Sequence, residues 1–88
     1  MAERDVYLLL ERMVRAVESN RLDEALRLDK EFSTLLYREF RHLPNWSMDE
    51  RVVAYDRCAQ SAAFYANGAG RENLELMRKR FSSIKNPQ

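Results

Sequence analysis

SAAFYANGAGRENLELM, Ser61 to Met77, holds the only two glycines of the chain, Gly68 and Gly70. Read as a loop, Asn67–Gly70 divides the second half into two short helices. Read as a weakened helix, it leaves one long rod. Asn67 and Gly68 favour a stop, because both residue types tolerate the left-handed geometry of a helix C-terminus. Against a stop, no Ser, Thr, Asp or Asn stands immediately before Arg71 to cap a new helix. The apolar phase also runs on. Counting 100° per residue from Val52, the positions Gly70, Leu74, Met77, Phe81 and Ile84 all fall within about 40° of one direction. The two glycines cost about 1 kcal/mol each relative to alanine in a helix, which tertiary packing can absorb. The phase therefore predicts one long third helix, about residues 48–83, weakened at 67–70. Such a helix is about 54 Å long at 1.5 Å per residue and overhangs any shorter neighbours. The alternative is a turn at 67–70 and a four-helix bundle.

Upstream, the pattern is helical throughout. Val6, Leu10, Met13 and Val17 share one face of a first helix over about 3–19, flanked by Leu9 and Val14. Asn20, with Asp23 and Glu24 behind it, reads as the N-cap of a second helix over about 21–42. Its face carries Leu22, Ala25, Phe32, Leu36 and Phe40, broadened by Leu28 and Leu35, enough to meet two neighbours. Asp29 lies at the edge of that face and reads as a rim carboxylate paired with an arginine. Pro44 ends the helix. Ser47-Met48-Asp49-Glu50 reads as a capping box that starts the third helix at Met48. Trp46, just before it, is expected to lie as a lid over the bundle end. Val52, Tyr55, Ala59, Ala62, Ala63 and Ala66 then form a small-residue seam. The tail from Lys85 to Gln88 is expected to fray. The fold class is thus all-α, an antiparallel helical bundle in a single domain spanning residues 1–88.

Composition narrows the functional classes. Hydrophobic residues make up 45% of the chain, enough for a packed core. No run approaches the roughly 18 apolar residues of a membrane span, and no signal peptide is visible. With a single cysteine, Cys58, there is no internal disulfide. These features predict a cytoplasmic location. The net charge of +1 draws the chain to no polyanion. The cluster Arg78, Lys79, Arg80 reads as a last helical turn complementing the dipole. Neither a broad basic face nor interleaved aromatics argues for nucleic acid.

Catalytic chemistry is not indicated. His42 is the sole histidine and has no companion at metal-ligand spacing. Cys58 reads as a small buried hydrophobe. NGAGRE lacks the strand and the Lys-Ser/Thr ending of a phosphate loop. No Glu-x-x-His pair is present for a di-iron site. The expectation is a protein that is not an enzyme and needs no cofactor.

The segment LLLERMVRAVESNRLDEALRLDKEFSTLL, Leu8 to Leu36, resembles the N-terminal half of FliT-type flagellar export chaperones. In that family an amphipathic helix ends in a short break, typically Asp-Trp-Asp-x-Leu, before a second helix. Asn20 to Leu26 occupies that place, with Asn20 where Asp often stands and Leu22 where Trp does. Leu26 meets the leucine position with a one-residue shift. The later half of the family's long third helix matches ENLELMRKRFSSI, Glu72 to Ile84. The likeness does not extend to the regulatory C-terminal helix that some members add. It implies a cytoplasmic chaperone of type III secretion that binds the helical C-terminal segment of a filament-cap protein. It further implies contacts with export machinery or a transcription regulator.

Two readings follow. In the first, the chain is a helical protein-binding module offering an apolar strip to an amphipathic helix of an exported protein. Cys58, Tyr65 and Leu76 lie beside the third helix's core seam, with Phe64 further round. These four are the candidate contact residues. In the second, the chain is a structural or regulatory subunit that forms a homodimer through the overhang.

Overall fold

The computed structural model describes residues 2–86. In chain order it contains α1 (Ala2–Glu18), α2 (Leu22–Phe40), a 3-10 turn (Trp46–Met48), α3 (Glu50–Ala66) and α4 (Arg71–Lys85). The chain is an all-α bundle, as expected, and it adopts the four-helix alternative. The single helix over 48–83 is corrected: it stops at Ala66 and restarts at Arg71. For Pro87 and Gln88 the expected frayed tail lies outside the described residues.

A Schellman motif ends α3. Gly68 takes φ +99°. Its N–H donates to the Tyr65 carbonyl (3.0 Å), and the Ala69 N–H donates to the Phe64 carbonyl (2.9 Å). Two carbonyls that a bare helix end leaves without partners are thereby satisfied. The absent N-cap side chain is no obstacle to a restart. Gly70 occupies the cap position of α4 with an extended backbone. Its carbonyl accepts from the Asn73 N–H at 3.1 Å, and glycine is itself tolerated at N-caps.

The end of α1 repeats this device with asparagine. Asn20 has φ 59°. Its N–H donates to Val17 (3.0 Å), and the Arg21 N–H donates to Ala16 (2.7 Å). Asn20 was expected to open the second helix; instead it closes the first, as the left-handed residue that asparagine accepts more readily than most. Arg21 then occupies the N-cap of α2 with no side-chain hydrogen bond. The third helix also starts later than expected. Asp49, rather than Ser47, is its cap, accepting from the Arg51 N–H at 2.9 Å. Residues 46–48 form the 3-10 turn ahead of it. Hydrogen bonds from the Arg51 side chain and backbone hold the Asp49 carboxyl at about 2.

Short turns make α1–α2 and α3–α4 antiparallel hairpins. The hairpins meet chiefly through α2 and α3. α1 crosses to α3, and it touches α4 only lightly. Phe32, Leu10, Met13, Leu28, Met77 and Val6 are fully buried between them. The seam of Ala59 and Ala62, also buried, lets α3 approach closely. At one end Arg51 joins α3 to α1 through Glu3 Oε1 (3.0 Å), and the Tyr55 hydroxyl donates to Glu3 Oε2 (3.3 Å). Burial first, and then the Glu3 charge, push the Tyr55 phenol up to about 12. The folded chain measures 35 × 27 × 20 Å. A 54 Å rod does not fit within it, so the overhang argued from sequence is absent.

The glycines give different expectations. An added Cβ meets nothing within 4 Å at either one, so backbone conformation and cap preference decide. Gly68→Ala forces alanine into left-handed geometry and is expected to cost about 1–2 kcal/mol. Gly70→Ala, at φ −68°, meets no backbone strain and loses only glycine's advantage as an N-cap, so it is expected to cost under about 1 kcal/mol. Urea unfolding of the two variants checks the turn. In a continuous helix both substitutions would instead stabilise, by about 1 kcal/mol each.

Candidate interaction groove

The four residues singled out by sequence are divided by the fold. Cys58 is 0% exposed. Its Sγ donates weakly to the Met77 carbonyl at 3.7 Å. Burial pushes the thiol up to about 12, with Arg80 pulling the other way. It packs inside the α3–α4 hairpin and offers nothing to a partner while that hairpin is closed. Tyr65 is half-buried against the core and shares a small hollow with Leu22 and Gly68. Phe64 and Leu76 stand out, 56% and 41% exposed.

Phe64 and Leu76 share one outer edge. Arg80 Nη1 on α4 donates to Ser61 Oγ (2.7 Å) and to the Arg57 carbonyl (3.1 Å) on α3. Leu76 lies one turn before Arg80, and Phe64 about one turn after Ser61. In an antiparallel pair both positions fall at the same level of the hairpin. The same contacts dispose of much of the basic cluster. Arg80 is turned onto α3, and Arg78 pairs with Glu18 at 3.2 Å.

The concave feature lies along the side of α3 that faces α2. Between α2, the 3-10 turn and α3 runs a groove of about 420 Å³. Leu36 and Val52 form its buried floor. Tyr37, 50% exposed, and Trp46 close one end, ring edge to ring face at 5.2 Å and 87°. Trp46 thus forms a groove wall, where the sequence suggested a lid over the bundle end. Val53 is half-buried beside them.

Helix register extends the groove. The Arg51 guanidinium sits 5.0 Å over the Phe40 ring. Leu36 and Tyr37 share the groove with Val52 and Val53, and Leu22 meets Gly68 at the far end. That antiparallel pairing sets Asp29 level with Gln60, and Leu26 level with Phe64. Along α2 one edge therefore reads Leu26, Asp29, Ser33, Tyr37. Along α3 the facing edge reads Val53, Arg57, Gln60, Phe64. Each line advances by three or four residues, the spacing of one helix face. By register, the line of the groove runs from apolar Tyr37 and Val53 past polar residues to Leu26 and Phe64, over about 16 Å.

Its polar centre departs from expectation. Asp29 was expected to pair with an arginine; among the described residues no basic side chain lies within 4.0 Å of it. Burial first, and then the charge of Asp56, raise its carboxyl above the ordinary aspartate value. Asp56 accepts from Gln60 Nε2 at 3.2 Å. Tyr37, Val53 and Asp56 were not singled out from sequence. Their signal is faint: Tyr37 and Val53 sit just off the apolar stripes of their helices, on the sides that α2 and α3 turn toward each other.

Among the described residues no group of three His, Cys, Asp or Glu side chains is placed to hold a metal ion. No described helix is long and apolar enough to cross a membrane. Comparison of the chain with family models, with curated proteins and with solved structures finds no match.

Proposed function

We propose that the protein is a small cytoplasmic helix-binding module that seats an amphipathic helix of a partner protein along the α2–α3 groove. The observation that carries this reading is the groove itself, with Leu36 and Val52 as a buried apolar floor and the Tyr37 and Trp46 rings closing one end. Helix-in-groove recognition needs such a floor to take the partner's apolar ridge. Its length of about 16 Å accepts about three helical turns. Phe64 extends the α3 edge of this surface, and Leu76 offers an apolar contact round the far side of α3. The resemblance of Leu8–Leu36 to FliT-type proteins supports an export chaperone as the role. The occupant is then the helical C-terminal segment of an exported filament-cap protein. Covering such a segment keeps its apolar face from water until export.

Isothermal titration with helical C-terminal segments of exported cap proteins tests the reading. Tyr37→Ala combined with Val53→Asp is expected to weaken binding at least about tenfold while leaving the helical circular dichroism intact, because it removes one apolar wall and puts a charge on another. Phe64→Ala is expected to cost about threefold. Absence of binding to the unaltered protein, or binding indifferent to both groove substitutions, overturns the proposal.

A further inference from the structure

We propose that Asn67 is a covalent modification site: it deamidates through a cyclic imide with Gly68, and the docking of α4 sets the rate. Of the five asparagines, Asn67 alone is followed by glycine. That neighbour matters because the imide forms when the next residue's main-chain nitrogen attacks the asparagine side chain, and a side chain on that residue hinders the approach. Asn67 and Gly68 are both exposed. A Cβ added to Gly68 meets nothing within 4 Å, so water and base reach the pair freely.

The step consumes water and releases ammonia, and nothing is oxidised or reduced. A base removes the Gly68 N–H proton. The nitrogen attacks Asn67 Cγ, an N–Cγ bond forms, the Cγ–Nδ2 bond breaks, and ammonia leaves. Water then opens the imide at either carbonyl. Opening at Cγ leaves aspartate. Opening at the main-chain carbonyl leaves isoaspartate, with the backbone rerouted through the side chain.

The closed turn opposes each part of this. The Gly68 N–H is held by the Tyr65 carbonyl at 3.0 Å, so its proton is harder to remove. Asn67 Nδ2 donates to the Ala63 carbonyl at 3.0 Å, which ties the side-chain amide back along α3. Asn67 keeps a near-helical backbone, φ −86° and ψ 8°, whereas ring closure needs ψ turned until the Gly68 nitrogen meets Cγ. The left-handed Gly68 and the Ala69 N–H bond to Phe64 (2.9 Å) fix the turn in this form. Reaction therefore waits for the turn to open, and its rate follows the open fraction. The docking of α4 keeps it closed, and Met77 is the one buried residue of that helix.

The product does not fit the closed turn. Isoaspartate lengthens the main chain by a carbon and misaligns the bonds of Gly68 and Ala69. Aspartate gives up the Nδ2 donor and puts a negative charge at the C-terminus of α3, where the helix dipole disfavours it. The reaction thus makes the opening permanent. The turn is a one-way switch that releases α4 and uncovers Cys58, which is buried while the hairpin is closed.

The test is incubation of the full chain at mildly alkaline pH, then mass analysis of the tryptic fragment Cys58–Arg71 for aspartate and isoaspartate. The isolated fragment sets the unprotected rate. The intact protein is expected to react at least about tenfold more slowly. Two variants loosen α4: Met77→Ala, and the milder Phe81→Ala, which loses the ring stack with Tyr7. Each should react at least about threefold faster than the parent while keeping its helical circular dichroism. The reacted protein, separated from the unreacted, should expose Cys58 to a thiol reagent at least about tenfold faster. An unreactive fragment overturns the site. Equal rates for fragment and intact protein, or variants no faster than the parent, overturn the control by α4. An unchanged Cys58 rate in the reacted protein overturns the switch.

Discussion

Phe32→Ala is expected to remove about 3–5 kcal/mol of folding stability, the largest loss from any single truncation in this chain. Phe32 is the largest of the fully buried side chains. It sits on α2, the helix that meets both α1 and α3, and its ring is part of the buried core. Truncation loses the transfer free energy of the ring and leaves a cavity that rigid neighbours close only in part. A domain of 88 residues holds roughly 4–13 kcal/mol in total. The variant therefore sits near the edge of folding. Urea titration followed by circular dichroism measures the loss. The melting temperature should fall by at least about 15 °C. Phe32→Leu, with a smaller cavity, should fall between the variant and the parent. A loss under about 1 kcal/mol would mean that the ring does not lie at the centre of the core.

Met77→Ala is expected to act locally, by releasing α4. Met77 is the only fully buried residue of α4. Its other holds are half-buried apolar contacts, the Tyr7–Phe81 ring stack at 5.8 Å, the Arg80 bonds to α3 and the exposed Arg78–Glu18 pair. An exposed pair of that kind contributes little. Losing the Met77 side chain costs about 2–5 kcal/mol, much of what keeps α4 docked. Cys58 provides the readout, because it lies beneath α4 and its thiol is both buried and shifted up to about 12. A thiol reagent should modify the parent slowly, since the thiolate is the reactive form. It should modify Met77→Ala at least about tenfold faster, while amide protection in α1 and α2 stays high. Equal labelling rates in the two proteins would show that α4 is held by something other than Met77.

The sequence disclosed the core more fully than the topology. Val6, Leu10, Met13 and Val17 share one stripe of α1, as do Ala25, Leu28, Phe32, Leu36 and Phe40 on α2, and all nine are buried. The failure at Asn67–Gly70 has a definite physical reason. An apolar stripe tells which side of each helix faces the core and says nothing about the direction of the axis. A hairpin with both faces turned inward satisfies the same stripe as a straight rod. The hydrogen bonds of Gly68 and Ala69 decided between them, and only Asn67-Gly68 hinted at those.

The site was legible in the same uneven way. Phe64 and Leu76 are apolar residues off the stripe, and they are exposed. Cys58 lies equally near the stripe's edge, but α4 folds back and covers it, which no reading with a straight third helix provides. The pairing of Tyr37 and Leu36 with Val52 and Val53 across the groove depends on the register between two helices, and one sequence does not carry that register.

The arrangement as two hairpins also bears on time. Most of the packing joins helices that are neighbours along the chain. The stretches that must find each other are close together from the start, and little loop entropy is lost in closing them. Helical proteins built this way fold in about microseconds to milliseconds. The apolar floor of the groove, Leu36 and Val52, forms where the second hairpin docks on the first. That floor therefore belongs to neither hairpin alone and exists only in the assembled bundle.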